Sequence, residues 1–455
     1  MAIKAAEGTS DLRGEEARRW EYIKAQAYEL FSRFGYEPIE TPLFEQTDLF
    51  VRGIGEATDV VSKEMFHVVS GGNLEKIKAG ERIRSKSQLA LRPEGTASVV
   101  RSALEHALVG QGSAPVKLMY AGPMFRAERP QKGRYRQFRQ IGVECLGVDS
   151  PSLDAEAIIM LMKFYEQIGI PSQEMRLLIN SMGCPKCRPA YRSLVAAYLE
   201  NHHDELCDDC KTRAATNPLR AFDCKQEACK KLMCNALRIT DHLCEECASH
   251  YAQVKELLQA SGIDYIEDAH LVRGLDYYLR TVFEVQIDNG MGSQNALGGG
   301  GRYDKLASEI AGKDLDVPGL GFALGYERCM LALEALGKLP VIEAQSGIFL
   351  AHTSEEEQAL AFELALSLRM QGLTVHIDHQ GKSLKSQLKL ANKLGVSEVW
   401  FLSNKDYNQG FVSIRLMDEH CDARLGVEDL MRYLRAETSQ PLYLSYNKEL
   451  QQEEE

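Results

Sequence analysis

Nine of the twelve cysteines in this 455-residue chain fall between residues 182 and 260, and no other feature restricts its fold as much. CPKC (184–187) and CDDC (207–210) are two C-x2-C pairs with nineteen residues between them, and Cys224 and Cys229 precede a third pair, CEEC (244–247). Thiolates are soft, charged ligands, and each short C-x2-C loop delivers two of them to a tetrahedral ion. The spacing predicts two four-cysteine zinc sites. One grouping is Cys184/Cys187/Cys207/Cys210 with Cys224/Cys229/Cys244/Cys247; an interleaved grouping fits the spacing equally. The alternative is a helical insertion whose thiols merely pack. No His or carboxylate stands in the pattern to leave an open position, so any zinc is expected to be structural. Cys234 is left over, and Cys145, Cys329 and Cys421 read as isolated core residues.

Strand-like text flanks the cysteine-rich segment. EMRLLIN reads as a buried strand before it, and DAHLVRGLDYYLRTVFEVQI resumes strand character after it. Upstream, GEEARRWEYIKAQAYELFSRFG has helical apolar spacing and a glycine stop, and YEPIETPLFE reads as a proline-marked extended segment. PVKLMYAGPMFRAE and RQFRQIGVECLGV look like two strands around the polar loop RPQKGRY, and SLDAEAIIMLMKFYEQIG like a helix. After the linker-like GKLPVIEAQ, strands at GIFLAH, TVHID, EVWFLS and FVSIRLM alternate with helices at 355–371, 383–394 and GVEDLMRYLR. That is a compact α/β unit of about a hundred residues. QQEEE ends the chain as a solvated tail.

The length suggests two to four domains. No apolar run approaches the roughly 20 residues a bilayer span needs, and the first twenty residues lack a signal-peptide apolar region, so a cytoplasmic protein is expected. A formal net charge of −12 argues against adhesion to nucleic acid over the whole surface, yet it leaves room for a local basic groove.

Such a groove is visible in FRAERPQKGRYRQFRQIGVE (125–144), with five arginines and one lysine in twenty positions. On strands, Arg126 and Glu128 share a face, as do Gln140 and Glu144, while Lys132, Arg134 and Arg136 sit on or beside the loop. A guanidinium binds phosphate oxygens bidentately and stays charged at working pH. LVRGLDYY (271–278) adds Arg273, Asp276, Tyr277 and Tyr278, and paired tyrosines suit a small polar aromatic ligand. LGGGGRYD (297–304) could let backbone approach a ligand or be a turn. PGLGFALGYER leads into a helix near Gly325 with Arg328 in its first turn. That is the wrong end for dipole compensation, which implies an anionic partner. Neither the dinucleotide fingerprint nor the P-loop occurs.

FRAERP, GLGFALGYER and the proline-bearing helix–strand start resemble motifs 2, 3 and 1 of class II aminoacyl-tRNA synthetases. LRPEGT, LVRGLDYY and GGGRYD narrow the resemblance to the histidyl-tRNA synthetase family, and GKSLKSQLKLANKLG is similar to its C-terminal domain. The resemblance runs from GTSDLRG to about residue 435. It implies an α+β fold: a class II antiparallel sheet with flanking helices (1–181 and 261–337), an inserted, cysteine-rich, mainly helical domain (182–260), an α/β anticodon-binding domain (346–436) and a tail (437–455). It implies ATP, Mg2+, L-histidine and tRNA(His) as ligands and a homodimer, for which the segment Gly35–Pro42 is the motif 1-like support. By the same resemblance Arg126 holds the α-phosphate, Arg328 the γ-phosphate, Arg273 flanks the α-phosphate, and Glu128 lies near the adenine or the tRNA end. Glu94, Thr96 and Gln140 match positions that hold the amino end of histidine. Glu144 and Tyr278 match those that read the imidazole nitrogens, and Tyr277 lines the pocket. The motif 2 loop around Gln131–Arg136 is the expected reader of an extra guanosine on the tRNA.

Lys385, Lys389 and Lys393 recur every four residues on the C-terminal helix 383–394, a face for RNA phosphates or for solvent. One rival reading is a non-catalytic paralogue, the regulatory subunit of ATP phosphoribosyltransferase, against which the anticodon domain and Arg126, Arg273 and Arg328 stand. Another is a class II synthetase for glycine, threonine or proline, against which LVRGLDYY and Glu144 stand. A scaffold role has no feature in its favour.

Overall fold

The computed structural model describes residues 3–56, 58–110, 114–272, 274–288, 295–342, 347–417 and 421–426. Arg273, the expected helix beyond Gly426 and the terminal tail lie outside the described residues. The chain divides into two compact units, Met1–Val341 and Ile342–Glu455.

The first unit is built on an eight-stranded sheet. Its strand order is Glu37–Pro38, Val116–Phe125, Gln137–Leu146, Gly319–Gly325, Ala296–Arg302, Leu279–Ile287, Met175–Ser181 and Ile266–Glu267. The six central strands pair antiparallel, and the two short edge strands pair parallel. Period-2 alternation sorts each strand into two faces. On Gln137–Leu146, Ile141, Val143 and Cys145 enter the apolar core with the helices Glu15–Ser32, Pro151–Gln167 and Glu245–Ala260. Gln140, Gly142 and Glu144 point the other way.

On that second face the neighbouring positions are small. Gly321 sits opposite Glu144, Ala323 opposite Gly142, and Gly325 opposite Gln140. One strand further, Gly299 faces Ala323 and Gly301 faces Gly321. The glycine-rich LGGGGRYD is therefore not a turn but a central strand. Its bare backbone makes a shallow floor on one face and admits close packing on the other, where a Cβ at Gly298 would lie 2.6 Å from Tyr165 Oη.

The strand expected from DAHLVRGLDYYLRTVFEVQI begins only at Leu279. Arg280 takes φ +48°, and the ladder to Ala296–Arg302 shifts register there: Gly301 pairs with Val282, but Arg302 pairs with Leu279. A left-handed arginine costs about 1 kcal/mol or more, and such bulges re-aim the chain beside functional sites. Residues 274–278 leave the sheet as a loop over the cavity face.

The insertion is helical as expected, with Arg188–Asn201, Asp208–Thr216, Glu227–Met233 and Glu245–Ala260. In the second unit the sheet order is Val375–Ile377, Ile348–Ala351, Glu398–Phe401, Phe411–Leu416 and Cys421–Gly426. Cys421–Gly426 is a hairpin partner that the sequence pattern did not mark. Helix Leu384–Leu394 buries Gln387 and Ala391 while Lys385, Lys389 and Lys393 are exposed, so the lysines do share one solvent-facing side.

Candidate active site and cysteine clusters

Two cavities adjoin on the glycine-floored face. The inner one, about 150 Å3, is walled by Glu94, Thr96, Tyr120 and Gln140, roofed by Tyr277 and Tyr278, and floored by Gly299 and Ala323. The outer one, about 200 Å3, is lined by Glu128, Arg134, Phe138, Glu284 and Arg328. Arg126, Gln140 and Ala323 belong to both. Residues spread from position 94 to position 328 of the sequence are thereby gathered at one place.

Each wall has a local cause. Glu94 is buried and accepts the backbone N–H groups of Thr96 and Ala97 at 2.7 and 2.9 Å, closing the start of helix Thr96–Glu105. Burial nonetheless pushes its carboxyl pKa up. Arg126 donates Nε–H to Pro93 O at 3.0 Å and lies over the Phe138 ring, 5.4 Å from its centroid. Its guanidinium is thus fixed at the junction of the cavities. Arg328 is held by carbonyls, Nη1 to Ala296 O at 2.9 Å and Nε to Gly133 O at 3.3 Å. Burial, and then the cations of Arg134 and Arg126, push its pKa down. Glu128 lies 2.7 Å from Arg134 and 3.9 Å from Arg126, and Glu128 and Glu284 pull the Arg328 pKa part of the way back up. Three guanidiniums, the groups that bind phosphate oxygens bidentately, thus converge on one cavity beside the carboxylates of Glu128, Glu284 and Glu327.

The remaining cluster arginines do other things. Arg139 pairs with Glu327 through Nη1 and its backbone N–H, and lies over Trp20. Arg136 reaches Glu7 and the Glu128 carbonyl. Arg129 is exposed.

Glu144 does not line either cavity. Its side chain is fully buried one layer below the inner one, accepting from Thr96 Oγ1 at 2.7 Å, from Tyr303 Oη, and from Tyr120 Oη at 3.4 Å. Tyr120, Tyr303 and Phe138 join the site without being singled out by any motif in the sequence. Each was within reach of period-2 reasoning: Phe138 shares a face with Gln140, Tyr120 pairs with Gly142, and Tyr303 follows the glycine strand directly.

Burial raises the Glu144 carboxyl to about 8, against hydrogen bonds from Tyr303 and Thr96 that pull it down. An unfolded glutamate titrates near about 4.3, so between these values the native chain holds a proton that the unfolded chain has lost. Stability must therefore fall with rising pH across that window. Glu144→Gln removes the slope, and its stability relative to wild type should rise by a few kcal/mol between about pH 5 and 8.5. Denaturant unfolding at both pH values checks this; parallel profiles would refute it.

The eight paired cysteines form two quartets: Cys184, Cys187, Cys244 and Cys247, and Cys207, Cys210, Cys224 and Cys229. The first-stated grouping is thus corrected to a nested one, in which the outer pairs meet around the inner four residues. Helix Glu245–Ala260 lies along helix Pro151–Gln167 and returns CEEC to CPKC. Sulfur separations are 3.7, 3.8 and 3.9 Å in the outer quartet and 3.7 Å between Cys207 and Cys224. A tetrahedron with metal–sulfur bonds of about 2.3 Å has edges of about 3.8 Å, whereas a disulfide needs about 2.05 Å. Backbone N–H groups of Cys184, Lys186 and Cys207 point at Cys187, Cys184 and Cys229 sulfurs, 3.2–3.4 Å away. Cys187, Cys207 and Cys244 also sit at helix N-caps, and at Cys207 burial, which raises the thiol pKa, is outweighed by hydrogen bonds from the Cys210 backbone and the neighbouring thiols, which lower it. The residues present fit zinc.

An antiparallel sheet with motif arginines over paired cavities places the chain among class II aminoacyl-tRNA synthetases. A histidyl-tRNA synthetase family model matches residues 8–329, and an anticodon-binding-domain model matches 345–437. A histidine–tRNA ligase of Moorella thermoacetica is 42% identical over 435 residues, covering 96% of this chain and 98% of the relative. Another from Halothermothrix orenii is 44% identical over 418 residues, covering 92% and 95%. The apo S. aureus histidyl-tRNA synthetase crystal structure superposes with TM-score 0.78 at 34% identity, covering 95% of this chain and all of that one. The chain belongs to the histidyl-tRNA synthetase family.

Proposed function

We infer that the protein is a histidine–tRNA ligase that activates L-histidine with ATP and transfers it to the 3′ end of tRNA(His). Family membership across both units supports the overall activity over the regulatory paralogue. The observation that carries the residue assignments is Arg126 at the junction of the two cavities. Histidine occupies the inner cavity and ATP the outer, so their reacting groups meet at a fixed guanidinium. A histidine carboxylate oxygen attacks the α-phosphorus, the bond to the bridging oxygen breaks, and pyrophosphate leaves. A ribose hydroxyl of the terminal adenosine then attacks the carbonyl carbon and AMP leaves. No protein nucleophile is needed; orientation and charge stabilisation suffice.

In this reading Glu94, Thr96 and Gln140 hold the amino end, and Tyr277 and Tyr278 cover the ring. Glu144 accepts an imidazole N–H once the Thr96 hydroxyl turns from it to the substrate. Arg328 takes the terminal phosphates at the far end of the outer cavity, and Arg273 flanks the α-phosphate. Phe138 offers an aromatic face beside Arg126. Glu128 and Glu284 are the carboxylates that could hold Mg2+, which would neutralise the leaving pyrophosphate. Homodimerisation and a cytoplasmic location belong to the same reading. Leu43 and Phe44, 42% and 51% exposed beside Gly35–Pro42, support a dimer, and a light-scattering mass tests it. No described helix is long and apolar enough to cross a membrane.

The test is ATP–pyrophosphate exchange with each of the twenty amino acids. Exchange with histidine alone is expected. No exchange from folded protein would move the regulatory paralogue to first place.

A further inference from the structure

The loop 274–278, which carries Tyr277 and Tyr278, owes much of its attachment to the cysteine-rich insertion. Arg220 Nη2 donates to Gly274 O at 2.7 Å, and its Nε donates to Asp276 Oδ1 at 3.1 Å. Asn217 Nδ2 reaches the same carboxylate oxygen at 3.3 Å. Arg188 Nη1 donates to Tyr278 O at 2.8 Å. From the catalytic core, Asp276 N lies 3.4 Å from Ile54 O and the Tyr277 ring packs edge-on to Tyr303, 5.7 Å between centroids.

These donors occupy particular places in the insertion. Arg188 follows Cys187 directly, and Asn217 and Arg220 lie between Cys210 and Cys224. Each is therefore tethered to a member of a thiol quartet. The helices around them are short, nine residues in Asp208–Thr216 and seven in Glu227–Met233. Helices of that length are marginal in water without a tertiary anchor. The sulfurs of Cys210, Cys224 and Cys229 themselves form part of the apolar cluster that those helices share. A metal drawing four thiolates together would supply the missing constraint, as in small domains folded by zinc.

We propose that each quartet binds one zinc ion, and that the two ions fix the insertion so that Arg188 and Arg220 position the histidine-covering loop 274–278. The metals take no part in the chemistry. Their contribution reaches the reaction mainly through the amino-acid site; on the ATP side it extends only to Arg273, next to Gly274, and not to the outer cavity around Arg328. The loop's task rests on the assignment of Tyr277 and Tyr278 to histidine; the zinc ions do not.

Two measurements test the proposal on the full-length protein. Elemental analysis after purification without chelator should give two zinc ions per chain, and one or none in active protein would overturn the metal sites. Arg220→Ala leaves every cysteine in place. It should raise the KM for histidine in pyrophosphate exchange about tenfold or more, the loss of charge-assisted hydrogen bonds. The KM for ATP should change less than about twofold on the same scale, and Arg220→Lys should restore part of the histidine affinity. An unchanged histidine KM, or equal changes for both substrates, would overturn the positioning role. Wild-type protein that exchanges with no amino acid would instead sink the functional reading, and the zinc count would stand separately.

Discussion

Arg126→Ala should lower the rate of histidine-dependent pyrophosphate exchange by roughly 10²- to 10³-fold, the typical loss when one preorganised transition-state donor is removed. The protein should remain folded. In this structure the Arg126 side chain makes one hydrogen bond to Pro93 O and a 3.9 Å ion pair with Glu128, so its removal takes little from stability, about 1 kcal/mol. Arg126→Lys keeps the charge but loses the planar fork, and should recover only part of the rate. The same near-abolition is expected of Arg273→His. Single-turnover exchange rates alongside thermal unfolding separate the two effects. Exchange within a fewfold of wild type would remove Arg126 from the reacting centre.

Gly321→Ala should abolish histidine activation by a different route. A Cβ there would overlap Glu144 Oε2 and lie 2.5 Å from Val143 O, both on the adjacent strand of the central sheet. Neither can withdraw: the carboxylate is held by Thr96 and Tyr303, and the carbonyl belongs to a ladder. Overpacking of this kind costs about 1–3 kcal/mol, occasionally more, and the pocket floor is what deforms. We expect a lower unfolding midpoint together with loss of measurable histidine binding by calorimetry. Gly72→Ala is the control, since a Cβ there meets nothing within 4 Å and the position is helical, so stability should hold or rise. A Gly321→Ala protein with normal stability and normal histidine affinity would show that the floor is not close-packed as described.

The arginine cluster shows what local pattern can and cannot reveal. Charge and alternation were readable at once, and they correctly paired Arg126 with Glu128 and Gln140 with Glu144 on shared faces. They could not show that Arg139 is committed to Glu327, or that Arg136 turns toward Glu7, because those partners are remote in sequence. Nor could alternation reveal that Glu144 lies beneath the wall. Depth depends on which residues of other strands stand in front, here Thr96, Tyr120 and Tyr303. The glycine strand could be read as a close backbone approach or as a turn for the same reason: glycine is permissive in isolation, and it is Tyr165, Phe322, Gly321 O and Thr281 O on neighbouring elements that make its bare backbone necessary.

The cysteine spacing by itself marked eight thiols as candidate ligands for two four-cysteine sites, because C-x2-C geometry is local. Which pairs meet was decided only by the tertiary structure. Closing the long outer loop from CPKC to CEEC rather than the short one to CDDC costs roughly 1 kcal/mol in chain entropy. That is less than what the packing of helix Glu245–Ala260 against Pro151–Gln167 can supply, so spacing alone could not choose. The same division holds for the whole protein. The family and the list of chemical groups are written in short stretches of sequence, while their depth, pairing and convergence on one face come from strand order and burial.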